Sequence, residues 1–303
     1  MKQFAGIFTP IVTPFKNDEL DEAGLRSNVA QWMRSPLHGL VVLGSNGEAP
    51  QLEDVEADRA IAVVREGVPR DKVLIAGTGR ESTRATIAAT ARAASLGADA
   101  VLVRTPAFFK SQMTSDIFVR HYTEVADASP VPVLLYNVTM FTGVNLMPDA
   151  VERLAQHPNI VGMKDSGTDV AQISEYVNRT PDDFVVLAGA APTLFLSFCA
   201  GCDGAILAVA GVLPEMCVEL WQAVRENRIE EGRELQRRLL PIARSVGSVY
   251  GVAGLKAALD LIGFAGGQPR PPLRPASSQV IDTLRAQLAD VGRLRGADMG
   301  SRV

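Results

Sequence analysis

Short, continuously apolar runs alternate along the chain with longer stretches whose apolar residues recur every three or four positions. The short runs lie at 6–11, 39–43, 73–76, 100–103, 131–136, 160–163, 184–187 and 204–209. They are rich in Val, Ile and Leu at successive positions, the pattern of strands buried on both faces. The longer stretches, at 20–33, 52–66, 82–95, 114–126, 148–156, 169–178, 192–200 and 214–225, carry the helical period. Pro148, Pro192 and Pro214 open three of them, and the first turn is where a helix tolerates proline.

Strand–helix units repeated at even spacing predict an α/β chain folded as a closed parallel (β/α)8 TIM barrel. A doubly wound open sheet is the alternative. Its supporting signal is weak: Gly77-Thr78-Gly79-Arg80-Glu81-Ser82 lacks a third glycine and follows the third strand, not the first. After residue 225 only helical patterns follow, at 229–246, 254–262 and 278–292. The expected organisation is therefore a barrel over 1–225 and C-terminal helices over 226–303, packed on the barrel.

Composition narrows the function. The net charge is −4 with 21% charged residues and no basic stripe, so nucleic acid is not an expected partner. The longest apolar stretch, 205–213, is too short to span a bilayer, and nothing resembles a signal peptide. The expectation is a soluble, cytoplasmic protein. Cys199, Cys202 and Cys217 make no disulfide framework. Cys199-Ala200-Gly201-Cys202 has the C-x-x-C spacing, but it follows a helical run and precedes a strand, the wrong context for a redox site. His38, His121 and His157 are isolated from one another and are expected to be structural.

In such a barrel, chemistry belongs to the C-terminal ends of the strands. Those ends offer Thr9 and Thr13, Gly44-Ser45-Asn46-Gly47-Glu48, Thr105 with Phe108 and Phe109, Tyr136-Asn137, Lys164-Asp165-Ser166 and Gly189. No histidine and few acids appear among them, which argues against a metal site and against a Ser-His-Asp triad. Lys164 stands out. The chain has six lysines against twenty-four arginines, yet a lysine closes the buried run Ile160-Val161-Gly162-Met163. Burial makes its charge expensive, and a neutral amine can attack a carbonyl to form a Schiff base. The alternative is a structural lysine paired with Asp165 or another acid. Gly44 and Gly47 would let backbone amides beside Ser45 and Asn46 approach a carboxylate, unless the segment is only a turn. Tyr136 is either a rim aromatic or a proton shuttle facing Lys164.

Segments 39–48, 136–143 and 162–167, with the 28-residue step from Tyr136 to Lys164, resemble the N-acetylneuraminate lyase / dihydrodipicolinate synthase family of class I aldolases. The resemblance covers nearly the whole chain. Within the family it is most similar to 4-hydroxy-2-oxoglutarate aldolase, through Gly44-Ser45-Asn46-Gly47-Glu48, the run from His157 to Gly167, and Gly254-Leu255-Lys256. The resemblance implies that Lys164 forms the Schiff base and Tyr136 moves protons. Ser45 and Asn46 would hold the carboxylate of a 2-oxo acid, while Ser166, Gly189 and Ile206 line the pocket. It implies no cofactor and a homo-oligomer, a dimer or a tetramer built from dimers. The reaction expected is cleavage of a 4-hydroxy-2-oxo acid. A synthase or dehydratase using the same imine, and a 2-oxo-acid-binding protein without turnover, are the alternatives.

Three positions depart from the family pattern. Phe108 replaces the tyrosine that reaches a neighbouring subunit's hydroxyl relay, Thr139 replaces a proline, and Phe141 replaces the basic residue that binds a second substrate's carboxylate. Asn137, Thr139 and Thr142 are expected to meet hydroxyls in its place. With no convergent His or carboxylate cluster at the strand ends, activity should persist undiminished in excess EDTA. Loss of activity restored by a divalent metal would contradict this.

Overall fold

The computed structural model describes residues 2–294; residues 295–303, the end of the expected helical segment, lie outside the described residues. Eight parallel strands close into a TIM barrel: β1 Gly6–Pro10, β2 Gly39–Val42, β3 Val73–Gly77, β4 Ala100–Arg104, β5 Val133–Asn137, β6 Ile160–Asp165, β7 Val185–Ala188 and β8 Gly204–Ile206. Each pairs with its sequence neighbour, and β8 returns to β1 with Gly204 opposite Gly6. That closure requires glycine, since a Cβ on residue 204 would stand 2.1 Å from the Gly6 carbonyl oxygen.

The main helices between strands are α1 Glu22–Trp32, α2 Asp54–Gly67, α3 Thr83–Ser95, α4 Ser115–Ala128, α5 Pro148–Leu154, α6 Val170–Arg179, α7 Leu194–Cys199 and α8 Pro214–Arg225, with a single helical turn over Thr139–Thr142 after β5. Side chains alternate in and out of the barrel. Phe8, Val41, Ile75, Leu102, Leu134, Tyr136, Leu187 and Ile206 fill its interior, while Leu135, Met163 and Val186 join the larger core beneath the helices. Beyond the barrel come α9 Ile229–Arg244, a π-turn over Ser245–Val249, α10 Gly251–Leu261 and α11 Ser278–Asp290. Helix α9 packs on α8, and α11 packs on α10.

Several boundaries differ from the sequence reading. Strand β5 starts at Val133 because Pro132 has no N–H for the ladder. The run expected as a strand through 209 leaves the sheet after Ile206 and coils into a 3-10 turn over Ala208–Gly211; an apolar run does not distinguish a buried strand from a buried turn. Leu20 pairs with Phe15 in a small hairpin, and α1 starts after Asp21, whose carboxylate accepts the Gly24 N–H at 2.9 Å. Proline at 192 sits in a 3-10 turn, Ala191–Thr193, that precedes α7.

Among the described residues no helix is long and apolar enough to cross a membrane. Leu134 is fully buried in the barrel interior. Leu134→Ala should cost about 2–5 kcal/mol in denaturant unfolding, and a loss well below that would show that the interior can collapse onto the gap.

Candidate active site

Lys164 and Tyr136 are register partners on β6 and β5. Both point into the barrel, and both are about 95% buried, with 5% and 4% exposure. The Lys164 Nζ lies 4.3 Å from the centre of the Tyr136 ring. The residues that follow point the other way. Asp165 accepts a hydrogen bond from Asn137 Nδ2 at 2.7 Å and from the Gly167 N–H at 3.1 Å. Asn137 also donates to Asn145 Oδ1 at 2.8 Å and accepts the Leu146 N–H at 3.0 Å. Burial, only partly offset by those hydrogen bonds, holds the Asp165 carboxyl above its ordinary pKa. Among the described residues no acid forms an ion pair with Lys164. The alternative of a structural Lys164–Asp165 pair is not what the structure holds: strand alternation puts amine and carboxylate on opposite faces of β6.

The turn after β2 carries Ser45 and Asn46. It forms one 3-10 turn, Ser45–Gly47, whose first amides have no intrahelical partner. Gly47 is pinned from the loop after β1, its carbonyl accepting the Thr13 hydroxyl at 2.7 Å. The Ser45 Oγ stands 3.2 Å from the Tyr136 hydroxyl. Burial alone would raise the pKa of that hydroxyl. The positive charge of Lys164 and hydrogen bonds from Ser45, Ser166 and Lys164 outweigh it, so the pKa falls below the ordinary tyrosine value.

Gly189, just past β7, leaves room for the lysine. A Cβ there would meet Ser166 Oγ at 2.3 Å and Lys164 Cε at 2.8 Å. Ile206 closes the cavity floor from β8 with no exposure. Ser45, Asn46, Tyr136, Lys164, Ser166, Gly189 and Ile206, all expected from sequence, line one cavity of about 310 Å³. Its wall is completed by Thr139, Met140 and Phe141 and, from the C-terminal extension, by Ala243, Gly247 and Ser248. The extension's contribution to the wall had no signal in the sequence.

Other expectations are not met or fall elsewhere. Asn137 is fully buried on the outer face, and the Thr142 hydroxyl donates to the Val138 carbonyl at 3.1 Å. Of the three neutral groups expected near the distal substrate, only Thr139 reaches the cavity. Phe108 and Phe109 stack edge-on, 5.1 Å between centres, and are 79% and 66% exposed. Cys199 is exposed, whereas Cys202 is buried, with its thiol pKa pushed up by that burial. His121 is buried with Nδ1 2.9 Å from the Thr83 hydroxyl, and burial lowers its pKa to about 4. Among the described residues no three His, Cys, Asp or Glu side chains converge on a metal position. The sequence reading gave Glu48 and Lys256 no role, yet both are almost wholly buried beside this turn.

The Tyr136 environment is open to direct test. The ultraviolet tyrosinate titration, taken as the difference between the natural chain and Tyr136→Phe, should give a pKa below the ordinary 10. Removing the serine hydroxyl in Ser45→Ala takes away a hydrogen bond that favours the phenolate, so the titration should move to higher pH. An unmoved titration would show that Ser45 leaves Tyr136 unaffected.

The family profile described as the Dihydrodipicolinate synthetase family matches residues 3–291. The 4-hydroxy-tetrahydrodipicolinate synthase of Methanopyrus kandleri is 34% identical over 295 residues, covering 96% of this chain and 98% of that one. Its counterpart from Thermotoga petrophila is 35% identical, covering 96% and 100%. Among solved structures, the dihydrodipicolinate synthase of Thermotoga maritima superposes with a TM-score of 0.92 at 34% identity, covering 96% of this chain and 100% of that one. YagE, a prophage protein of Escherichia coli K12 from the dihydrodipicolinic acid synthase family solved in complex with pyruvate, gives 0.89 at 29% identity, covering 96% and 99%. These relatives carry the synthase name and not that of 4-hydroxy-2-oxoglutarate aldolase, so the likeness holds at the level of the family. The chain belongs to the dihydrodipicolinate synthetase family, whose members are Schiff-base-forming lyases of the class I aldolase type.

Proposed function

We propose that Lys164 condenses with C2 of a 2-oxo acid, pyruvate being the common half, and that the enzyme breaks or makes a carbon–carbon bond at C3. The observation that carries this reading is a buried amine, free of any acid partner among the described residues, facing Tyr136 across one strand register. The amine adds to the carbonyl, water leaves, and the resulting iminium accepts electrons. In the cleaving direction Tyr136, or water beside it, takes the proton of the C4 hydroxyl. The C3–C4 bond breaks, an aldehyde departs, and its electron pair becomes the enamine. Protonation at C3 and hydrolysis then release pyruvate and restore the amine. Ser45 and Asn46 are assigned to the carboxylate, and Ser166, Gly189 and Ile206 to the pocket around the imine. No metal or organic cofactor is required by these steps.

Two readings of the distal half have separate support. The names of the relatives support condensation of pyruvate with an aldehyde, in the manner of a dihydrodipicolinate synthase. The cavity supports cleavage of a 4-hydroxy-2-oxo acid with a hydroxylated or partly apolar distal group. Phe141 stands on its wall where the family's carboxylate-binding basic residue is matched, and a carboxylate set against a phenyl ring lacks its donor. A homo-oligomer belongs to the same proposal, supported by the large apolar side chains that Phe108, Phe109, Met140 and Phe141 expose. So does a reducing, cytoplasmic setting, which suits three free thiols.

Borohydride reduction with pyruvate should add mass to the Lys164 peptide alone, and Lys164→Ala should abolish it. Labelling elsewhere, or none, would sink the imine. Tyr136→Phe should lower turnover about 10²–10⁴-fold, the share of a general acid–base group. Run side by side, cleavage of a 4-hydroxy-2-oxo acid with a neutral distal group should show the highest kcat/KM, with 4-hydroxy-2-oxoglutarate below it and condensation of pyruvate with aspartate semialdehyde the lowest. The reverse order would assign the synthase reaction. Trapping without either turnover would leave a 2-oxo-acid-binding protein.

A further inference from the structure

Lys256, on α10, has no exposed surface, and Glu48 is 1% exposed. The Lys256 ammonium lies 2.6 Å from Glu48 Oε1 and donates to the Gln268 carbonyl at 2.9 Å. The other carboxylate oxygen, Oε2, accepts the Arg270 N–H at 2.8 Å. The Arg270 guanidinium is itself held by Glu56 at 2.6 Å and Asp18 at 3.0 Å. The Phe15 ring lies 4.5 Å from the Lys256 ammonium and 4.3 Å from that guanidinium. Burial pushes the Lys256 pKa down, and the hydrogen bond and charge of Glu48 oppose that push.

Such a pair is a poor device for stability, because desolvating two charges costs as much as their attraction returns. Its effect is geometric. Glu48 is the last residue of the turn that carries Ser45 and Asn46, and its φ is 56°; Leu43, just before the turn, has φ 57°. Left-handed backbone is disfavoured for both residue types and persists only where the surroundings enforce it. The Glu48 side chain is held from the C-terminal extension, more than 200 residues away in sequence. Neither Glu48 nor Lys256 lines the Lys164 cavity, whereas Ser45 and Asn46 do.

We propose that Glu48 and Lys256 are positioning residues: their buried pair locks the turn so that Ser45 and Asn46 face the substrate carboxylate, and it couples the C-terminal helices to 2-oxo acid affinity. This rests on the pyruvate-imine reading above. The test measures borohydride trapping at Lys164 against pyruvate concentration, by intact mass of the full chain, with a thermal melt of each protein. The variants are Glu48→Gln, Lys256→Met, Lys256→Arg and the double Glu48→Gln/Lys256→Met. In the neutralising variants half-maximal trapping should need about tenfold more pyruvate, the equivalent of one weakened charge-assisted hydrogen bond, while the labelled fraction at saturation stays unchanged. The double variant, which leaves no unpaired buried charge, should recover the melting temperature lost in the single variants but not the affinity. Lys256→Arg, which keeps the cation, should retain near-natural half-saturation; if the neutralising single variants do not fold, the double variant carries the comparison. Natural half-saturation in a folded double variant would overturn the proposal and make the pair merely structural. Absence of trapping in the natural chain would be seen before any variant is made, and would overturn the imine reading and this proposal with it.

Discussion

Side-chain alternation on two paired strands is the constraint on which the rest of the site depends. In β5 and β6, residues 136 and 164 point into the barrel, and 137 and 165 point out. One register decision therefore separates an amine from the carboxylate next to it in sequence. The Asp165 carboxylate is satisfied on the outer face by Asn137 and the Gly167 amide. Inside, the amine meets a phenol and small polar side chains. A one-residue slip would exchange the two faces, burying Asp165 in the barrel and leaving no nucleophile at its mouth.

The other half of the site is built from a turn that the barrel alone does not hold. Its glycines give close approach, but the residues flanking them, Leu43 and Glu48, adopt left-handed backbone. The fold secures the turn with Thr13 on one side and with a buried ion pair to α10 on the other. The C-terminal helices thus do more than cover apolar surface. They close the cavity through Ala243, Gly247 and Ser248, and they grip the turn that carries Ser45 and Asn46.

The departures from the family pattern fall together on the outer side of this site. Phe108 and Phe141 line a neighbouring cavity of about 480 Å³ that shares Ser45 with it, and Phe141 borders both. This chain presents two phenyl rings there. Under the proposed reading, chemistry at C2 and recognition of the distal group are separable, the first held by strands and the second by loops.

The sequence by itself determined the barrel, because runs apolar on both faces have no stable home except a sheet covered on both sides. It also singled out Lys164 and Tyr136, as a buried strand-end amine and a strand-end phenol, while leaving a structural role open for each. Tertiary structure alone decided what those residues face. Whether Asp165 neutralises Lys164, whether Asn137 reaches the substrate, and where the ladder stops near Ile206 depend on register and pleat, and neither is written in an apolar run. The partnership of Glu48 with Lys256 was equally hidden. Two charges 208 residues apart leave no local periodicity, and only the packing of the extension against the barrel brings them within hydrogen-bond distance.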